Sequence, residues 1–179
     1  MLEWILLYSF YLLAGFTLKL GDDFLDELDR PNLSWIFLSL SGAFFAYIIT
    51  NSEYDMVLLT SIIIGVVISG KVNRPQFSMG FILIAVGFLI RGIPVVTDWL
   101  EWLAILLILL LAAVLDEKGN DWTVRSANPT ASIFFNYRFS LKVTVLAISL
   151  VWQLFIFTAV GLWIFDLGYE LAGKINQKI

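Results

Sequence analysis

Two acidic clusters hold the residues best suited to chemistry in this chain of 179 residues. The first contains Asp22, Asp23, Asp26 and Glu27 in the pattern D-D-x-x-D-E, with Asp29 close behind. If the segment is helical, spacings of three and four residues place these side chains on one face. Carboxylates this close repel one another, so we expect water, a basic side chain or a bound cation to offset the repulsion.

The second cluster contains Asp116, Glu117, Asn120 and Asp121 in the pattern D-E-x-x-N-D. Ligand sets made only of oxygen suit hard divalent cations such as Mg²⁺ or Ca²⁺ rather than zinc or copper. The alternative is that each cluster is a solvated loop beyond a helix end, since Gly119 and Asn120 are typical turn residues.

A short segment with Lys71 and Arg74 lies between the two clusters in the sequence. Metal ions held by carboxylates bridge phosphate oxygens, and Lys and Arg neutralise the remaining charge. The sequence therefore predicts a magnesium–phosphate site in which Lys71 and Arg74 contact phosphate. Its predicted metal ligands are Asp22, Asp23, Asp26, Asp116 and Asp121.

The first cluster also resembles a known motif. The run from Asp22 to Asp26 matches the D-D-x-x-D element of isoprenyl diphosphate synthases and more loosely resembles the aspartate-rich motifs of intramembrane prenyltransferases. The resemblance covers five residues. It implies that Asp22, Asp23 and Asp26 bind magnesium–diphosphate. The rest of the chain resembles neither family.

Composition restricts the class of protein, the kinds of site and the partners that are possible. Hydrophobic residues make up 60% of the chain and charged residues 15%, which indicates an integral membrane protein. The absence of Cys and His excludes disulfides, zinc–thiolate sites and histidine general bases. A net charge of −4 argues against nucleic acid as a partner.

Six segments are apolar enough to suggest an all-α membrane protein with a single transmembrane domain over residues 1–179. The first is expected to be retained, because it lacks the basic start of a signal peptide. The segments are Trp4–Leu20, Leu33–Thr50, Met56–Gly70, Phe77–Val96, Trp99–Leu115 and Val143–Gly168. The pair between Phe77 and Leu115 could instead form a shallow hairpin.

Basic residues predict the orientation of these spans in a cell membrane. The loops after spans one, three and five, together with the adjoining helix ends, hold eight Lys and Arg, and the other side holds three. Basic residues favour the cytoplasmic side. Residues 21–32, 71–76 and 116–142 are therefore predicted to be cytoplasmic and both termini outside, with the two acidic clusters bordering one cavity.

Two further patterns concern organisation. Arg30-Pro31-Asn32-Leu33-Ser34 and Arg74-Pro75-Gln76-Phe77-Ser78 open spans two and four, so the chain contains either a duplicated two-helix hairpin or two similar helix starts. Residues 116–142 form the only long loop, in which residues 126–130 suggest a turn and residues 133–142 an interfacial helix.

Two functional readings follow, with a third left open. The first is a magnesium-dependent enzyme that acts on a lipid phosphate or diphosphate at the cytoplasmic interface. The second is a small cation transporter or channel, expected to be a homo-oligomer. Small residues permit close helix packing in either case. The third is a membrane assembly subunit without catalysis. The expected partners are membrane lipid and a lipid-linked substrate.

Overall fold

The computed structural model describes residues 2–28, 30–126 and 129–176. Every regular element in these ranges is helical, which confirms the all-α class. The helices are α1 (Leu2–Asp26), α2 (Pro31–Ile49), α3 (Glu53–Ile68), α4 (Phe77–Arg91), α5 (Trp99–Ser126), α6 (Pro129–Asn136), α7 (Phe139–Val151) and α8 (Phe155–Asn176).

Four of these helices, α1, α2, α5 and α8, are long and apolar enough to cross a membrane. Large apolar side chains are also widely exposed: Leu89 and Leu150 are each 85% exposed, and Leu100 is 80% exposed. Such surfaces are costly in water and favourable against lipid tails. The fold is that of a membrane protein.

The chain divides into two compact units. Unit 1 contains α1, α2, α4 and α8 from Val160 onward. Unit 2 contains α3, α5, α6, α7 and the first residues of α8.

In unit 1, α1 and α2 run antiparallel. The Ser34 hydroxyl donates to the Gly21 carbonyl oxygen at 2.7 Å, and the Ser41 hydroxyl donates to that of Ala14 at 3.1 Å. Residue numbers therefore increase along α2 in the direction in which they decrease along α1. The start of α2 therefore lies beside the acidic end of α1.

Helix α4 runs parallel to α2. Gly80 lies against Gly42 so closely that a Cβ on Gly42 would overlap it, and Gly87 lies against Ala46 in the same way. At the far end, the Arg91 guanidinium stacks 4.1 Å from the centre of the Tyr47 ring. The similar Arg-Pro sequences therefore open two parallel neighbours, and the duplicated hairpin stays a prediction.

Helix α8 runs parallel to α1. Gly161 lies beneath the Tyr11 ring, Gly15 lies against the Phe165 backbone, and Gly173 lies beside Lys19. Residue numbers increase in the same direction along α1 and α8. The end of α8 is therefore at the same end of unit 1 as the acidic cluster.

In unit 2, α3 and α5 are parallel and α7 is antiparallel to them. Trp102 Nε1 donates to the Glu53 carbonyl oxygen at 3.2 Å near the two helix starts, and Gly65 packs on Ala113 near their ends. Helix α7 begins beside Asp116 of α5, and the Phe155 ring just after its end packs on Tyr54 of α3.

The predicted sixth span, Val143–Gly168, is not one helix. Helix α7 ends at Val151, α8 begins at Phe155, and Gln153, near the middle of that segment, is in the turn between them. The residues on both sides of the turn are apolar, so hydropathy gives no sign of it. The interruption allows α7 to pack on α5 and α8 to run alongside α1.

Helix α5 continues 11 residues beyond the predicted end of span five at Leu115. Gly119 is helical, and the Phe135 ring of α6 occupies the space above it. The predicted interfacial helix over residues 133–142 is interrupted at Tyr137 and Arg138. Asp29, and residues 127 and 128 of the predicted turn, lie outside the described residues.

Candidate functional site

The acidic end of α1 is helical through Asp26, as the spacing of its carboxylates predicts. Asp23 is buried, and one of its carboxylate oxygens lies 2.6 Å from the Lys19 ammonium one turn earlier. That ammonium also lies 5.4 Å from the centre of the Tyr169 ring of α8. Asp23 therefore has a protein counter-ion and helps to join α1 to α8.

Asp22, Asp26 and Glu27 differ from Asp23. Asp22 is half-buried, and Asp26 and Glu27 are exposed. Asp22 and Asp26 are four residues apart in one helix, so their side chains are neighbours. Neither carboxylate forms a hydrogen bond or a close ion pair within the described part of the chain, although the Lys19 ammonium attracts Asp22 electrostatically. Their oxygens are available to a ligand.

The starts of α2 and α4 lie at this same end of unit 1, because both helices run antiparallel to α1. Arg30 and Arg74 precede them, and both are exposed. Helix N-termini carry partial positive charge, and neither start has a side-chain cap. Basic and anion-attracting groups thus share one end of the unit with the α1 carboxylates.

Gln76 stands immediately before α4. It is 9% exposed, and its Oε1 atom is buried without a hydrogen-bond partner among the described residues. A buried carbonyl oxygen without a partner is costly and uncommon.

The carboxylate of Asp116 has a structural role in unit 2. Its two oxygens accept hydrogen bonds from the backbone N–H groups of Ser140 at 3.1 Å and Leu141 at 2.8 Å, at the start of α7. Asp116 is 2% exposed. It caps α7 from a neighbouring helix, which satisfies two N–H groups that have no partner within α7.

The other two carboxylates of the second cluster are also paired. Glu117 lies 3.7 Å from the Arg138 guanidinium, in the turn between α6 and α7. Asp121 lies 2.6 Å from the Lys71 ammonium, just beyond the end of α3. The three carboxylates therefore connect α5 to the other parts of unit 2.

The predicted site residues thus fall into two groups. Unit 1 contains Asp22, Asp23, Asp26 and Arg74, and unit 2 contains Asp116, Asp121 and Lys71. Within the described residues, no three Asp or Glu side chains are grouped in a way that could hold a metal ion. That the two groups form one site stays a prediction.

Sequence reasoning missed two carboxylates at the start of α3. Asp55 is 3% exposed and accepts a hydrogen bond from the Thr158 hydroxyl at 2.9 Å. Glu53 accepts hydrogen bonds from the backbone N–H and the hydroxyl of Thr97. Both precede the predicted third span, where carboxylates are usually solvated. Their partners are 103 and 44 residues away along the chain, so local spacing carries no signal.

Comparison of the chain with models of protein families, with curated proteins and with solved structures found no match.

Proposed function

We propose that this chain is a polytopic membrane protein that binds a phosphorylated lipid headgroup, together with Mg²⁺, at the charged end of unit 1. The observation that carries the proposal is the meeting of three helix ends there. The end of α1 supplies Asp22 and Asp26, and the starts of α2 and α4 supply Arg30 and Arg74.

The two kinds of group suit the two parts of a magnesium–phosphate complex. Mg²⁺ is usually held by one or two carboxylates, with phosphate oxygens and water completing its shell. Asp22 and Asp26 are sufficient for that role without a third carboxylate. Arginine binds phosphate through paired N–H groups, and two helix N-termini add favourable dipoles.

In its fuller form the proposal is a magnesium-dependent enzyme acting on a lipid phosphate or diphosphate. Bound Mg²⁺ would stabilise charge that develops on a departing diphosphate. The sequence has no histidine, so an Asp would serve as any general base. The apolar faces of unit 1 suit the lipid tail.

The test uses geranyl diphosphate and MgCl₂ as probes of the detergent-solubilised protein. We expect a magnesium-dependent rise in melting temperature in the parent protein and in Asp121→Asn, the matched control from unit 2. Asp22→Asn/Asp26→Asn should abolish that rise, and Arg74→Gln should weaken diphosphate binding. An unchanged shift in the Asp22/Asp26 double variant would contradict the proposal.

We further propose seven crossings in place of the six predicted, formed by α1, α2, α3, α4, α5, α7 and α8. Consecutive crossings alternate in direction. Seven crossings make α8 parallel to α1, α4 parallel to α2, and α3 parallel to α5, which agrees with the packing inside each unit. With six crossings, α8 would run opposite to α1.

The basic residues support this topology. With residues 21–32 in the cytoplasm, seven crossings place the end of α8 in the cytoplasm as well. Ten of the 11 Lys and Arg residues then lie on the cytoplasmic side, and only Arg91 lies outside. The proposed orientation has the N-terminus outside and the C-terminus inside.

Helices α3, α4 and α7 are short, and local thinning of the bilayer accommodates such helices.

Single cysteines in this cysteine-free chain test the topology. An impermeant thiol reagent should label Glu27→Cys and Lys174→Cys from one side of sealed vesicles and Asn51→Cys from the other. Labelling of Lys174→Cys together with Asn51→Cys would restore the six-span arrangement with both termini outside.

A second candidate function, a small cation transporter, is favoured by one observation in unit 2. The buried Asp55 of α3 is hydrogen-bonded to Thr158, which lies just after the turn between α7 and α8. Interrupted helices with buried carboxylates form ion sites in transporters. Proton or sodium flux into proteoliposomes that is lost in Asp55→Asn would support this alternative.

A further inference from the structure

Unit 2 contains a cavity of ≈ 200 Å³ between the starts of α3 and α5. Its polar and aromatic lining consists of Glu53, Tyr54, Thr97, Asp98, Glu101 and Trp102. This volume is below the roughly 300–1,000 Å³ of sites for drug-sized ligands, so an occupant has only a few heavy atoms.

Two of the three lining carboxylates are held in place by neutral donors. Glu53 accepts from the Thr97 N–H at 2.8 Å and from its hydroxyl at 2.9 Å. Asp98 accepts from the Leu100 N–H at 2.8 Å. These hydrogen bonds orient the carboxylates without neutralising them. The Glu101 backbone N–H also donates to Asp98 at 3.2 Å, but its carboxylate forms no hydrogen bond or ion pair with any described residue.

None of the residues that line this cavity is basic. All lining residues belong to stretches 31–70 and 92–117, and neither stretch contains a Lys or Arg. Three carboxylates facing one small cavity without a basic side chain create a potential that attracts cations.

Aromatic rings complete the lining. The Trp102 indole is fixed by its Nε1 hydrogen bond to the Glu53 carbonyl oxygen, and Tyr54 packs edge-on against Phe155. Trp and Tyr faces attract ammonium groups, most strongly quaternary ones. Aromatic faces attract ammonium groups but do not ligate metal ions, so the combination of rings and carboxylates favours an organic cation.

We propose that this cavity binds a small alkylammonium ion. Glu101 supplies the charge that meets the ligand directly, Trp102 supplies the ring face, and Glu53 and Asp98 hold the cavity negative. The proposal concerns unit 2 alone and does not depend on magnesium–phosphate binding in unit 1.

Tetramethylammonium chloride is the probe, and Trp102 fluorescence is the readout. We expect saturable quenching in the detergent-solubilised protein that equal concentrations of NaCl do not produce. Trp102→Phe should remove most of that signal. Glu101→Gln should weaken binding about fivefold, the effect of one partly exposed ion pair, while Glu3→Gln, an acid outside the cavity, should leave the affinity unchanged.

Two sources of this chemistry are separated by nanodisc composition. If phosphatidylcholine discs weaken tetramethylammonium binding relative to phosphatidylethanolamine discs, which have the same net charge, the natural ligand is a lipid headgroup. If affinity is equal in both, the ligand is a free amine. Quenching that NaCl reproduces, or that Glu101→Gln and Glu3→Gln weaken equally, would overturn the proposal.

Discussion

The carboxylates at the end of α1 and in the C-terminal third of α5 have nearly the same sequence pattern, but the fold uses them differently. On α5, Asp116, Glu117 and Asp121 each have a partner on another part of unit 2. On α1, Asp23 forms a close ion pair with Lys19, whereas Asp22 and Asp26 form none with any residue that the structure describes. Similar motifs therefore do not imply similar roles, because neighbouring elements determine which oxygens a ligand can reach.

The largest effect should come from Asp116→Ala. The substitution removes the acceptor for two N–H groups at the start of α7, and buried donors without partners are costly. We expect a loss of about 2–4 kcal/mol in the free energy of unfolding, measured by denaturation in detergent. Asp26→Ala, the exposed counterpart on α1, should change stability by less than about 0.5 kcal/mol. Equal losses in both variants would remove the contrast between the clusters.

Lys19→Met should have the next largest effect. It leaves the carboxylate of Asp23 buried without its ion-pair partner, while the Met side chain preserves packing against α8. Because Lys19 is partly exposed, we expect a loss of about 1–3 kcal/mol rather than the full cost of breaking a buried pair. The double variant Lys19→Met/Asp23→Asn should recover part of the loss, and failure to do so would show that the pair contributes little.

A smaller effect is expected from the Lys71–Asp121 ion pair. Both side chains are 38% exposed, so solvent screens their attraction. A double-mutant cycle with Lys71→Gln and Asp121→Asn should give a coupling energy below about 1 kcal/mol, which falls further at high salt. A larger coupling would mean that this pair matters to unit 2 as much as the cap on α7 does.

The smallest effect should be a gain in the free energy of unfolding rather than a loss. Without ligand, Asp22→Asn or Asp26→Asn should raise stability by a few tenths of a kcal/mol. Burial disfavours the charged form of Asp22 more than Lys19 favours it, and the two carboxylates repel each other one helical turn apart. Thermal unfolding in EDTA measures this effect. A clear loss of stability in EDTA would indicate that these carboxylates also have a structural role, and the two clusters would then be alike.

Part of the candidate site follows from the sequence. The D-D-x-x-D-E spacing predicted a helical acidic stripe on α1, and α1 is helical through Asp26. The sequence also singled out the Arg-Pro motifs, but their meaning depends on the parallel packing of α2 and α4. The pairing of Asp55 with Thr158 was not predictable, because it joins residues 103 positions apart.

The sequence by itself determined that the chain lies in a lipid bilayer and that its structure is helical. A chain with 60% hydrophobic residues and long apolar segments belongs in lipid, where backbone groups must be satisfied inside helices. Only the tertiary structure decided where the last apolar stretch breaks, that α8 runs parallel to α1, and which carboxylates are engaged. Lipid-facing and protein-facing surfaces are equally apolar in such a chain, so hydropathy cannot distinguish them. Close contacts of glycines and hydrogen bonds of buried polar groups make that distinction, and both require distant parts of the chain to meet.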